Sequence, residues 1–265
     1  MDSARAGAGR MPAVFIGHGN PMNAVEDTPY SRGWRQVSNS LPRPSAILSA
    51  SAHWYVPGSR VTGSERPRTI HDFGGFPRRL YEVQYPAPGS PQLAERVRAL
   101  IGPSTVALDQ DWGLDHGTWA VLVHMYPEAA IPVVQLAIDE SLPAQEHFAL
   151  AARLRPLRDE GVLILGSGNL VHNLHAYAWG SHAAETYDWA IRFENRMREL
   201  LTARSFATVA DYESLGRDAA LAAPTPDHFL PLLYVIAQAE ENDTVSFPVD
   251  GFDGGSVSMT SVRIG

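Results

Sequence analysis

Residues 162–173 read VLILGSGNLVHN, and this stretch decides the fold. Four large apolar residues, Val162 to Leu165, run straight into the small and polar Gly166, Ser167, Gly168 and Asn169. An apolar run this short, bounded in this way, fits a buried strand better than a helix. The same pattern recurs at Ala13–Gly17, Ala46–Ala52, Thr105–Leu108, Ile131–Ile138, Val245–Val249 and Val257–Ile264. Between these runs the period changes. Trp189, Phe193, Met197 and Leu200 recur at helical spacing and share one face. Residues 143–159, 90–100 and 228–239 read as further helices, with Ser90 as a cap and Pro231 confined to a first turn. Strands alternating with helices predict an α/β fold, a central sheet with helices on both faces. After residue 245 the strands follow one another without helices, so the sheet is expected to be mixed. No linker, repeat or shift in composition divides the chain, which is expected to form a single domain over residues 12–265. Residues 1–11 precede it as an Ala/Gly-rich flexible tail.

Histidines gather where such a sheet binds ligands. His172 closes the opening stretch, His18 follows Ala13–Gly17 directly, and His53 follows Ala46–Ala52. Open α/β sheets hold ligands at the carboxyl ends of their strands, so three strand exits with histidines make a candidate metal site. His228, in PTPDHFLPL, opens a helix from a proline-rich loop. No local zinc signature such as H-E-x-x-H is present, so the spacing alone leaves a metal site and ordinary loop histidines both open. Gly166-Ser167-Gly168 approaches a nucleophile elbow without matching G-x-S-x-G, which leaves a serine hydrolase as a weak rival. His124, His147, His175 and His182 lie within helical or loop patterns and read as structural.

Composition removes many other chemistries. The 265 residues carry 21 cationic and 29 anionic side chains, a net charge of −8, which disfavours nucleic acid as a partner. There is no cysteine, hence no disulfide, thiolate site or cysteine nucleophile. There is no lysine either: every cation is an arginine, which excludes a Schiff base, a pyridoxal-phosphate anchor and a phosphate-loop lysine. No apolar run approaches the roughly 20 residues of a membrane span, and the N-terminus lacks the apolar segment of a secretory signal. A cytoplasmic protein is expected. Nothing in the sequence marks an interface, and a homo-oligomer is left open.

Seven strings occur in order: GHGNPM (17–22), SAHW (51–54), TIHDFGGFP (69–77), YPAPGSP (85–91), LDHGTW (114–119), GSGNLVHN (166–173) and PTPDHFLPLLY (224–234). Together with the GGSVSMTSVRIG ending, they resemble the 4,5-DOPA dioxygenase extradiol family. This family lies within the class III extradiol ring-cleaving dioxygenases related to the catalytic subunit of protocatechuate 4,5-dioxygenase. The resemblance implies that His18, His53 and His228 hold a metal. It makes His172 an acid/base residue, or a fourth ligand if zinc is bound, and His116 a second active-site histidine. It also implies a catechol such as DOPA and O2 as substrates, with Fe(II) the expected metal for activity and Zn2+ the alternative. Many members of the wider class use two histidines and a glutamate, whereas this chain has a histidine, His228, at the third position.

The residue types suit that chemistry. Three facial ligands leave an ion three open positions, enough for both diol oxygens and O2. The diol must lose protons as it binds, and histidine titrates in the right range to take one and return it later. The loop Ile70–Pro77 supplies His71, Asp72, Phe73 and Phe76 as expected substrate contacts, with Gly74 and Gly75 as hinge points. A zinc-dependent hydrolase and a non-catalytic metal- or aromatic-binding protein remain as alternatives on the same scaffold.

Overall fold

A computed structural model describes residues 10–265. Its strands are β1 (Ala13–Gly17), β2 (Ala46–Val56), β3 (Ser59–Thr62), β4 (Val106–Asp109), β5 (Val133–Asp139), β6 (Val162–Gly168), β7 (Val245–Ser246), β8 (Phe252–Asp253), β9 (Val257–Ser258) and β10 (Val262–Ile264). Eight form one sheet in the order β4-β3-β5-β2-β6-β1-β10-β7, and β8 pairs with β9 as a separate ribbon. The four central strands β5, β2, β6 and β1 run parallel, while β3 and β10 join them antiparallel. This is the expected mixed sheet. Its parallel centre brings the carboxyl ends of β1, β2, β5 and β6 to one edge.

Side chains alternate across the sheet and build a core on each face. Ala13 and Phe15 of β1 pack with Leu48, Ala50 and the helices Asp188–Thr202 and Leu230–Ile236. Val14 and Ile16 point the other way, toward Trp34 of the helix Pro29–Ser40 and Trp119 of the helix His116–Met125. Among the described residues, no helix is long and apolar enough to cross a membrane.

Several boundaries differ from the sequence reading, each for a local reason. The expected helix over 143–159 is two helices, Ala144–Ala152 and Pro156–Asp159, because Pro156 cannot continue the first. The expected strand over 257–264 breaks into β9 and β10. The helix after His228 spans only Leu230–Ile236, so His228 stands in the preceding loop. β2 runs to Val56 instead of ending at Ala52. Ala50 pairs with Leu136 but Tyr55 with Ile138, so β2 carries extra residues against β5. His53 therefore sits in a bulged stretch inside the strand, a device that re-aims a side chain without ending the strand. The expected tail also ends earlier: the Met11 amide donates to the Arg158 carbonyl and Met11 is buried, while Arg10 pairs with Asp159 and Glu240. Residues 1–9 of that tail lie outside the described residues.

Candidate metal centre

Five histidine rings meet at the carboxyl edge of the parallel strands. His18 leaves β1, its amide bonded to the Gly168 carbonyl at the end of β6 (3.1 Å). His53 comes from the bulge in β2. His116 begins the helix His116–Met125, whose N-cap Asp115 accepts from the Thr118 amide. His172 lies four residues beyond β6, and His228 sits in the loop before the last helix. His18, His53 and His116 each bring one ring nitrogen within 4.8 Å of the others. The Nε2 atoms of His18 and His53 are 3.1 Å apart. The His228 ring centre is 5.3 Å from that of His18 and 5.0 Å from that of His53, and it stacks on His172 at 3.5 Å with 7° between planes. Metal-ligand spacing among the described residues thus picks out His18, His53 and His116, with the His228–His172 stack beside them.

The partners of the outer ring nitrogens determine what the inner ones offer. Ser167 Oγ spends its hydrogen on the Gly117 carbonyl, so at 3.0 Å from His18 Nδ1 it can only accept. His18 therefore carries its proton on Nδ1 and presents a bare lone pair at Nε2. Asp72 Oδ2 lies 2.9 Å from His116 Nδ1 and 3.5 Å from His53 Nδ1, and Asp227 Oδ2 bonds His228 Nδ1. A carboxylate accepts, so His116 and His228 are also protonated on the outside, and the Asp72 carboxylate beside His53 Nδ1 favours the same tautomer there. In that tautomer two lone pairs face each other at 3.1 Å, an arrangement that a cation between them stabilises. Nitrogens bound to one ion at about 2.0–2.1 Å stand about this far apart. The donor set fits a divalent metal held by neutral imidazoles. Burial, reinforced by the neighbouring imidazoles, pushes His18 and His53 well below the ordinary histidine range, and burial followed by His228 does the same to His172. Burial raises the Asp115 carboxyl to about 6, where it holds Ser51 and Gln135 behind the site.

The histidines form the floor of a cavity of about 220 Å³. Phe76 is the one member of the 70–77 loop that lines it. Phe73 packs edge-on to both Phe76 and His116. Asp72 turns away from the cavity to the histidines, accepting from the His116 amide and ring. His71 bonds the Val83 carbonyl at 3.0 Å and packs on Trp119, so it anchors the loop. Sequence reasoning missed Asp227, Leu174, Tyr177 and Trp179, and it weighed Ser167 as a nucleophile where the structure has it orient His18. Only Asp227, next to His228 in the PTPDH string, carried a signal that could have flagged it. His124, His147 and His182 bond Asn23, Tyr234 and Asp253 respectively, as structural histidines do.

Gly168 holds the His228 loop in place. Its carbonyl takes the His18 amide, the next residue's amide donates to the His228 carbonyl (2.9 Å), and a Cβ on Gly168 would overlap that same carbonyl. Backbone cannot swing aside as a flexible side chain can. Gly168→Ala is expected to cost about 1–3 kcal/mol and to move His228 off the cavity floor. Thermal denaturation and metal content of the purified variant check this; wild-type values for both would show that the loop is not pinned there.

Comparison with known proteins agrees over nearly the whole chain. Residues 12–260 match the family described as the catalytic LigB subunit of aromatic ring-opening dioxygenase. A 4,5-DOPA dioxygenase extradiol of Escherichia coli (strain K12) is 48% identical over 263 residues, covering 97% of this chain and 95% of that protein. The protein of the same name from Beta vulgaris is 40% identical over 256 residues, 94% of each chain. The crystal structure of the uncharacterized protein JW3007 from Escherichia coli K12 superposes with a TM-score of 0.85 at 44% identity, covering 97% of this chain and 100% of that one.

Proposed function

This chain belongs to the family of the catalytic LigB subunit of aromatic ring-opening dioxygenase, and from that premise we propose that it opens the ring of a DOPA-like catechol with O2 at an Fe(II) centre. It is an extradiol-dioxygenase-type oxidoreductase with a histidine metal-binding cluster. The observation that carries the proposal is the set of inward lone pairs of His18 and His53 on the floor of an aromatic-walled cavity. His228 or His116 completes the ligand set, the first from the resemblance and the second from spacing. Bound there, Fe(II) supplies the Lewis acidity that makes the diol acidic and the electron exchange that O2 requires.

The chain's own residues do the rest. His172 lines the cavity and stacks on His228, so its ring is fixed in direction. Burial keeps it neutral before the diol arrives, so its lone pair is available to take a catechol hydroxyl proton and later return it to the product. Asp72 holds His116 by both backbone and ring, so that ring's other nitrogen faces the cavity floor, free to orient the diol where His228 is the third ligand. Phe76 and Tyr177 wall the cavity and limit water beside the reacting ring. We place the enzyme in the cytoplasm, acting on a small aromatic diol.

Oxygen consumption by anaerobically Fe(II)-loaded protein, given catechol or DOPA, tests the reading. We expect about one O2 per diol and a coloured ring-opened product, with the zinc-loaded protein inactive. A protein that takes zinc stoichiometrically and consumes no O2 after iron loading would favour the hydrolase alternative.

A further inference from the structure

The cavity above the histidine floor has walls of a different character. Leu174, Tyr177, Trp179, Phe76 and Val257 surround it. Leu174 is 45% exposed and Trp179 68% exposed, although both are large and apolar. Exposed apolar groups around a concave mouth mark a contact surface. The rim is also fixed in place. The Tyr177 hydroxyl donates to the buried Asp253 (2.9 Å), the Ala178 amide donates to the Gly254 carbonyl (2.9 Å), and Trp179 stands edge-on to Tyr177 at 4.8 Å.

The polar groups above the floor are few and uncharged. Asn20 Oδ1 accepts from the Met22 amide and the Tyr177 hydroxyl donates to Asp253, which leaves the neutral Asn20 amide N–H as the side-chain donor there. No arginine lines the cavity among the described residues, and the chain has no lysine. The two arginines that follow Phe76 face elsewhere, Arg78 to Glu82 and Arg79 to Glu26. A carboxylate attached directly to the substrate ring would lose water here and find no counter-charge, a costly exchange.

We infer that Trp179 and Leu174 are specificity-determining residues that favour catechols bearing an alkyl or arylalkyl substituent over catechols bearing a ring carboxylate. The inference rests on the ring-cleavage reading and deepens it. A diol on the floor leaves the opposite side of the ring toward the rim, where methylene groups gain contact and any charged end of a longer substituent reaches solvent.

Calorimetric titration of the Fe(II)-loaded protein without O2 tests this independently of turnover, using catechol, 4-propylcatechol and protocatechuate. Each methylene buried at the rim is worth roughly fourfold in affinity. 4-Propylcatechol is therefore expected to bind at least about tenfold more tightly than catechol, and protocatechuate more weakly than catechol. Trp179→Ala should erase most of the 4-propylcatechol advantage and leave catechol affinity unchanged. Leu174→Arg should reverse the order by giving the carboxylate a partner. Both positions are exposed, so neither change removes core packing. Equal or tighter binding of protocatechuate by the unaltered protein would overturn the specificity inference alone. Failure of unsubstituted catechol to bind would overturn the ring-cleavage reading and this inference with it.

Discussion

His53→Ala is expected to leave a folded protein that no longer retains metal. The His53 ring sits at the centre of the cluster, 3.8 Å from that of His116 and 5.0 Å from those of His18 and His228. Its Nε2 faces His18 Nε2, so removing it leaves one lone pair where two converged. It extends from a bulge at the sheet edge, outside both hydrophobic cores, so the fold does not depend on it. Metal content after dialysis should fall to roughly a tenth of wild type or less, with far-ultraviolet circular dichroism and the melting profile nearly unchanged. A variant that keeps its metal but unfolds would make His53 a structural residue. The same measurement on His116→Ala and His228→Ala identifies the third ligand. Resemblance assigns that place to His228, whereas His116 is the ring within 4.8 Å of the pair. Loss of metal from one variant and not the other settles it.

His172→Ala is expected to keep its metal and still bind catechol, but to lose roughly 10²–10⁴-fold in kcat, the usual size of a proton-transfer contribution. His172 is not part of the close nitrogen cluster, and its ring lies flat on that of His228. A base needs that placement, over the cavity and beside the ligands. If His172 were a fourth permanent ligand, closing a tetrahedral site as zinc prefers, the variant would lose metal as His53→Ala does. Metal content and catechol affinity of the Fe(II)-loaded variant, measured anaerobically, separate the two roles.

The sheet was readable in the sequence wherever strands are buried on both faces. Ala13–Gly17 appears with the expected bounds, and Val162–Leu165 extends only to Gly168, because continuous apolar runs between small residues have few alternatives. β3 was not readable: Ser-Arg-Val-Thr has no apolar run, and the strand exists because β4 and β5 flank it. The helix His116–Met125 was equally hidden, since it is buried almost all round and shows no amphipathic stripe. At the site, strand exits flagged His18 and His172, and the motif strings supplied His228 and His116. The direction in which Asp72 turns was invisible, because its hydrogen-bond partner His116 lies 44 residues away along the chain. Leu174 and Trp179 look in sequence like any loop residues, and only their place beside the histidine floor gives them a role.

The position of β1 affects how the chain is made. β1 pairs only with β6 and β10, which begin at Val162 and Val262, while β1 itself ends at Gly17. A ribosome therefore releases β1, the strand that leads into His18, long before either neighbour exists. At roughly 5–20 residues per second the wait for β6 is on the order of ten seconds, and the wait for β10 is longer. Through that interval an apolar strand has both edges open, the condition under which nascent chains associate wrongly or need a chaperone. The histidine floor of the cavity, to which His18 and His228 both belong, is assembled only after residue 228 has been made. The cavity is thus closed by contacts far apart in the order of synthesis, and none of its floor can form from the first strand alone.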